Sequence, residues 1–344
     1  MIKRYKPVTI KDIARRLNLH HSTVSRALRN HPNVSPETRE LVLSLAEELD
    51  YHPNTIALNF KYRKSNTIGV ILPDVKNDFF AYVLSGIEDV AHKSGYYVMI
   101  TQSNESYERE VLNVRALISN QVCGVLVCIS QKTITGEHFE VFKRREIPLV
   151  FFGRVCDDIE ANKIVVDDFE GAFKATEYLI KTGHKRIGHL TGPQNLLISQ
   201  HRLSGYKAAL EKYNIPFDEE MVVSCSLDRN SGANGFQKLW FSATKPDAIF
   251  AVNDLVAIGA YMKIKEMGLK IPDEISLIGF GDNPNSVIID PPLTTIGQEP
   301  YEMGKTAANI LVSQIENPNI VLNPTTEILP TKLIIRKSVA LRKS

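Results

Sequence analysis

The chain has 344 residues, 43% hydrophobic and 23% charged, the balance of a folded globular protein with room for two or three domains and a sizeable core. No run of about 18 apolar residues is present, so no membrane-spanning helix is expected, and the basic opening MIKRYKPVTIKDIARRL lacks the apolar segment of a signal peptide; a cytoplasmic location is expected. The net charge of +2 hides an asymmetry: residues 1–64 hold twelve Lys/Arg against six Asp/Glu, a net +6, while the other 280 residues hold 29 against 33, a net −4. A basic head on a slightly acidic body suits a polyanion-binding module joined to a separate core, although a merely solvated N-terminus reads the same on charge alone.

The first predicted helix starts at Thr9-Ile10-Lys11-Asp12, with Thr9 as cap and Asp12 near the positive end of the dipole. Ile10, Ile13, Ala14 and Leu17 follow at helical spacing. Asn18, which tolerates a left-handed backbone, ends it in a tight turn. A second short helix runs from His21 to Leu28 with Val24, Ala27 and Leu28 inward. A loop at Asn30-His31-Pro32-Asn33 precedes a third start, Ser35-Pro36-Glu37, and a core stripe of Leu41, Val42, Leu45, Ala46 and Leu49. The outer face of the second helix offers His21, Ser22, Ser25, Arg26 and Arg29, all able to donate hydrogen bonds to base edges or phosphates.

The stretch VTIKDIARRLNLHHSTVSRALRNHPNVSPETRELVLSLAEELDYHPNTIALNF resembles the headpiece of the lactose-repressor (LacI/GalR) family without a gap, through T-x-x-D-I-A, S-T-V-S-R, V-S-x-x-T-R and Y-x-P-N. The resemblance implies a helix-turn-helix whose second helix enters the DNA major groove. By it, His21, Ser22 and Arg26 read bases, and Thr23, Ser25, Asn30 and Thr38 contact phosphates, with Thr9 at the first helix start in the same DNA-binding set. His20 stands where the family usually has Ser; it can reach a phosphate but is expected to cap the helix less well. Residues 53–65 follow as hinge helix and linker. By the resemblance this segment folds when a dimer meets its operator, with Asn54 and Ala57 at the DNA and Phe60 as the apolar wedge in the minor groove; Phe60 packing on the core as an anchor is the other reading.

Beyond residue 66, strands are predicted at 68–72, 97–100, 125–129, 149–152, 163–166, 187–190, 248–252 and 275–280, alternating with helices such as 79–94, 108–119, 169–182, 200–214 and 255–267. Gly95, Gly183 and Gly268 follow helices as C-terminal caps do. This is repeated β/α architecture, in too many strands for one small sheet, so two parallel-sheet sub-domains are expected with a ligand cleft between them. No G-x-G-x-x-G follows a strand, and neither G-x-x-x-x-G-K-[ST] nor G-x-S-x-G occurs. The carboxylates of Asp157-Asp158 and Asp167-Asp168 diverge as chain neighbours. The core histidines (His92, His138, His184, His189, His201) show no metal spacing and the four cysteines (Cys123, Cys128, Cys156, Cys225) form no CxxC pair. They are read as reduced, and neither enzyme chemistry, metal nor cofactor is expected.

The core also resembles that family's effector-binding domain, itself similar to periplasmic sugar-binding proteins, through IGVILPDVxNxFF (68–80), GHKRIGHLTGP (183–193), RLSGY (202–206), PDAIFAVND (246–254), ISLIGF (275–280) and PPLTTI (291–296). The resemblance implies a headpiece at 1–52 and an effector-binding, dimerising core at 66–344. One sub-domain would span about 66–163 plus 293–322, the other about 164–290 plus 323–340. Effector contacts are expected from Asp74, Asn77, Phe79, Phe80, Gln102, Arg154, Asn195, Arg202, Asn253, Asp254 and Asp282. Core packing is the other reading of Phe79 and Phe80, and a structural ion pair that of Arg202. Gly153 and Gly281 stand where many relatives carry sugar-binding Asp, and with Arg154 and Arg202 nearby an anionic sugar derivative fits as well as a plain sugar. Helix 79–94, with apolar Phe79, Val83, Ile87 and Val90, is expected in the dimer interface or else packed on its own sheet; without leucine heptads in the tail, a dimer is expected. The implied function is a sequence-specific transcription regulator, repression being the expected sense, on pseudo-palindromic operator DNA and switched by a small polar metabolite. The rivals are a solute-binding sensor and a sugar-metabolising enzyme.

Overall fold

The computed structural model describes residues 8–51, 65–319 and 323–342, in two compact units, 1–64 and 65–344. The expected hinge residues Asn54, Ala57 and Phe60 lie outside the described residues. The first unit holds α1 (Ile10–Arg16), α2 (His21–Ala27) and α3 (Pro36–Glu48) around Ile13, Val24, Val34 and Val42. Asn18 takes the left-handed backbone (φ 52°) that turns α1 into α2, and Ser35 caps α3 by accepting from the Thr38 N–H at 3.2 Å. Leu41 is a correction: it is 55% exposed, because the inward stripe of α3 runs through Val42 and Ala46, one turn apart, and Leu41 falls beside it.

The second unit is two six-stranded sheets flanked by helices. The first contains β1 (Thr67–Leu72), β2 (Tyr97–Gln102), β3 (Gly124–Val127), β4 (Leu149–Phe152), β5 (Asn162–Val166) and, near the C-terminus, β11 (Thr326–Leu329), in the order β11-β5-β4-β3-β1-β2. The second contains β6 (Ile187–Thr191), β7 (Val222–Ser224), β8 (Ala248–Ala251), β9 (Ser276–Gly281), β10 (Thr294–Gly297) and β12 (Lys332–Ile334), in the order β12-β10-β9-β8-β6-β7. All pairings are parallel except β10 with β12. β1, β3, β8 and most of β9 are buried on both faces, as parallel sheets covered by helices require. The eight expected strands are present; β7, β10, β11 and β12 were not foreseen, being short, at sheet edges, or rich in Thr and Lys.

The helices of this unit are α4 (Asp78–Lys93), α5 (Tyr107–Ser119), α6 (Glu140–Arg144), α7 (Asp168–Lys181), α8 (Leu197–Lys212), α9 (Arg229–Trp240), α10 (Asp254–Glu266), α11 (Asn285–Ile288) and α12 (Pro300–Glu316). α4 packs along α12, α7 along α8 and α9 along α10. At the first contact Gly86 and Gly304 let the backbones meet: a Cβ on Gly86 would lie 2.1 Å from the Tyr301 carbonyl oxygen, and one on Gly304 2.0 Å from that of Val83. Val83 and Ile87 are fully buried there and Val90 nearly so. Three of the four apolar positions expected at a dimer contact, Val83, Ile87 and Val90, are therefore spent within their own chain, and Phe79 lines the cleft.

The chain passes between the sheets three times, after β5, after β10 and between β11 and β12. These points correct the expected sub-domain boundaries. All of β5, to Val166, belongs to the first sheet; β10 completes the second although 293–322 was assigned to the first; and β11 returns to the first, so the last crossing lies at 330–331 rather than after 322. The expected boundaries followed from the family resemblance and were approximate, whereas sheet membership is set by hydrogen-bond pairing between strands as far apart as β5 and β11.

Candidate functional site

In the first unit, Val24 and Ala27 of α2 are buried, while His20, His21, Arg26 and Asn30 are exposed and Ser22, Thr23 and Ser25 half-buried. The helix therefore turns one polar face outward. His20 does cap α2: its Nδ1 accepts from the Ser22 N–H at 3.3 Å and lies 2.8 Å from Ser22 Oγ, with its ring 4.1 Å from that of His21. Asn30 takes a left-handed backbone (φ 56°) just past the helix. Thr9 donates through its N–H and hydroxyl to the Asp12 carboxylate, and the half-buried Thr38 accepts from the Ser35 hydroxyl at 2.8 Å. Arg26 lies on this face, one helical turn from Ser22.

The second unit holds a cleft of about 800 Å³, open mouth included, between the C-terminal edges of the two sheets and beside the crossovers after β5 and β10. Arg202, 5% exposed, projects from α8. Its Nε and a terminal nitrogen bind Asp168 at 2.8 and 2.6 Å. The other terminal nitrogen donates to the Val252 carbonyl, and the guanidinium lies 3.5 Å from the Phe280 ring centre. Three of its five N–H groups are thus engaged and two are left over. Across the cleft Arg154 binds both oxygens of Glu105, at 2.8 and 2.9 Å. Asp254 accepts from the Thr295 hydroxyl, the Asn283 N–H and the Ser286 hydroxyl at 2.6 to 2.8 Å; burial pushes its carboxyl above the usual range against those three bonds. Asp282 is paired with Arg336 at 2.6 Å. Cys128 lines the floor, its thiol pushed up to about 12 by burial, so it is unreactive.

Of the residues expected at the effector, Asn77, Phe79, Phe80, Arg154, Arg202, Asn253, Asp254 and Asp282 line this cleft. Asn77 and Asn253 also cap α4 and α10. Asp74, Gln102 and Asn195 do not line it. Asp74 accepts from the Lys76 N–H, Gln102 from the Val75 N–H, and Asn195 donates to the carbonyls of Gln131 and Thr133; position past a strand end does not tell which way a loop side chain turns. The cleft includes residues the sequence did not single out for it, among them Tyr82, Asp168, Leu227, Asn283 and Gln298. Asp168 had a signal: of two adjacent carboxylates, Asp167 caps α7 by accepting from the Glu170 N–H, which leaves its neighbour for Arg202. Gly153 (φ 66°) and Gly281 (φ 130°) both sit at the cleft in left-handed backbone, so the missing carboxylates there go with turns that favour glycine.

Residues 9–54 match the bacterial regulatory proteins of the lacI family, and residues 176–339 a periplasmic binding protein-like domain. The chain is 34% identical over 331 residues to the ribose operon repressor of Haemophilus influenzae, covering 96% of this chain and 98% of that one. The chain belongs to the lacI family. Its fold superposes on that of the lac repressor dimer bound to operator and the anti-inducer ONPF with a TM-score of 0.85 at 27% identity, covering 97% and 100% of the two chains. It is also similar to a LacI-family regulator of Enterococcus faecium with bound ribose, at a TM-score of 0.71 and 28% identity over 80% of this chain and 100% of that one. As a lacI-family member the protein is a DNA-binding transcription regulator, with a helix-turn-helix and a periplasmic-binding-protein-like core. Members of the family are regulators rather than enzymes, and among the described residues no helix is long and apolar enough to cross a membrane.

Proposed function

We propose that this regulator is a cytoplasmic homodimeric repressor that reads a pseudo-palindromic operator through α2 and binds a neutral polyhydroxylated ligand, a sugar or nucleoside, in the cleft of its core. The observation that carries the ligand class is that the charges around the cleft are matched: Arg154 with Glu105, Arg202 with Asp168, Asp282 with Arg336. An anionic ligand would have to displace a buried carboxylate from its arginine, whereas hydroxyls can use the spare N–H groups at no such cost. The edge and face of Phe79 suit the apolar side of a sugar ring or a base. The E. faecium relative with bound ribose fits this reading. Asp168 and Asp254 are tied into bonds within the protein, which suits a cleft that binds rather than one that transfers protons.

On DNA, His21, Ser22 and Arg26 read bases, and Thr9, His20, Thr23, Ser25, Asn30 and Thr38 meet phosphates, with the 53–65 segment supplying Asn54, Ala57 and Phe60. Fluorescence anisotropy on DNA from upstream of the gene, with scrambled DNA as control, at two salt concentrations and with and without D-ribose, a nucleoside or ribose 5-phosphate, tests both halves. Tight, salt-weakened, sequence-dependent binding that ribose or a nucleoside changes, and ribose 5-phosphate does not, is the expected result. Equal affinity for scrambled DNA after a selection from random sequence would sink the operator reading, and a response to the phosphate alone would sink the neutral-ligand reading.

A further inference from the structure

Behind the cleft the loop that follows β3 is held from both sides. Toward the first sheet, Glu110 on α5, fully buried, accepts from the Ser130 N–H at 2.6 Å and the Thr133 hydroxyl at 2.7 Å. Glu105 accepts from the Gln131 N–H at 2.7 Å. Toward the second sheet, both N–H groups of the Asn195 amide are spent on this loop, on the carbonyls of Gln131 at 2.9 Å and Thr133 at 3.0 Å. The Gln131 side chain accepts from the Leu227 N–H at 3.3 Å. Gln131 therefore joins the two halves of the core through its N–H, its carbonyl and its side chain at once.

Both ends of this bridge reach the cleft. Leu227 lines it. At the other end Glu105 holds Arg154, itself cleft-lining and 8% exposed, with the same carboxylate that holds the Gln131 N–H. Glu105 and its neighbour Asn104 adopt left-handed backbone, φ 56° and 50°. Such a conformation persists in non-glycine residues where the surroundings fix it, and here the Arg154 and Gln131 bonds do so.

We propose that Asn195 and Gln131 form a latch between the two halves of the core, tied through Glu105 to Arg154, which sets how far the halves close over whatever the cleft holds. Asn195 is then a positioning residue and not a ligand contact. The proposal rests on the cleft being the effector site, because a ligand that draws on the spare N–H groups of Arg154 pulls on Glu105 and so on the latch. It supplies the differential contact that a ligand needs to shift a two-state equilibrium.

Amide hydrogen exchange on the full-length, ligand-free protein tests it. Asn195→Asp keeps the shape but has no N–H to give and faces two carbonyl oxygens. Exchange in segments 129–134 and 225–229 should both accelerate, by roughly five- to tenfold for lost hydrogen bonds of ordinary strength, while peptides from β4 and β8 hold their rates. Arg154→Leu should accelerate the same two segments, and Arg154→Lys, which restores a donor to Glu105, should return them toward the parent rates. Unchanged exchange in Asn195→Asp, or acceleration confined to 225–229, overturns the latch. Failure of Arg154→Leu to reach 225–229, or of Arg154→Lys to restore it, overturns the tie to the cleft. Neither arm uses a ligand, so these failures stand apart from a failure of the ribose titration, which would count against the effector reading alone.

Discussion

Arg202→Met is the most informative single change in the core. It removes three hydrogen bonds, two to Asp168 and one to Val252, while the methionine roughly fills the place of the aliphatic stem. What remains is a carboxylate only 3% exposed with its cation gone. Breaking a buried pair from one side costs about 3–5 kcal/mol, most of it the uncompensated charge left behind. Burial already pushes the Asp168 carboxyl upward, with Arg202 opposing; without the arginine it is pushed further, so the folded variant takes up a proton more readily than the unfolded chain. The cost is therefore largest at neutral pH and shrinks as pH falls. Urea unfolding followed by circular dichroism at pH 7 and pH 5 reads this directly. Adding Asp168→Leu should recover at least about 2 kcal/mol of the loss, since an apolar pair of similar volume is commonly as stable as the ion pair it replaces. Effector binding should stay lost in both variants. A cost below about 1 kcal/mol in Arg202→Met, or a double variant no more stable than the single one, would refute the account of this pair as a buried carboxylate that needs its arginine to offset desolvation.

Three further outcomes are expected. Burial lowers the His189 imidazole to about 4 from an ordinary 6.5, so the folded protein keeps it neutral while the unfolded chain protonates; this group then contributes stability above pH 6.5 that is lost as pH falls toward 4, about 3 kcal/mol in all, and His189→Phe should flatten that part of the pH profile in urea titrations. Arg26→Ala should weaken operator binding by about 10- to 100-fold, while binding to scrambled DNA changes far less, as anisotropy will show, because a base-reading arginine is worth about 1–3 kcal/mol of discrimination. Gly304→Val places a side chain against the Val83 carbonyl, where even a Cβ would sit 2.0 Å away; α4 and α12 must separate, at a cost of about 3 kcal/mol in chemical unfolding.

How much of this was legible in the sequence varied with the range of the interaction that decides each feature. The headpiece helices were readable because caps and turns are local: Thr9 with Asp12, Asn18 at the turn, Ser35 with Pro36. The buried strands of the core were readable as apolar runs, and β10 to β12 were not, since Thr294 and Thr295 are buried by bonds to the distant Ser338, Arg336 and Asp254 rather than by being apolar. In the cleft, residues on helix starts such as Asn77, Phe79 and Asn253 could be placed by counting from a strand end. Asn195 and Gln102 could not, because a neighbouring loop decides where their amides turn. The pairing of both cleft arginines with carboxylates 34 and 49 residues away was equally out of reach, and of the two ligand classes the sequence left open it favours the neutral one.

The interleaving of the two sheets also governs the order in which the molecule can be completed on the ribosome. The first sheet needs β11, at 326–329, for its outer edge and α12 for one of its faces; the second needs β12, at 332–334. Neither half of the core can finish until residues 326–334 have been made, whereas α1 to α3 are made well before them. A chain cut short before residue 326 would therefore keep α1 to α3 and lack both β11 and β12, leaving each sheet open along an edge. Such a product could still meet DNA but could not answer to a ligand, which makes residues 326–334, which line neither site, a segment on which control by the metabolite depends.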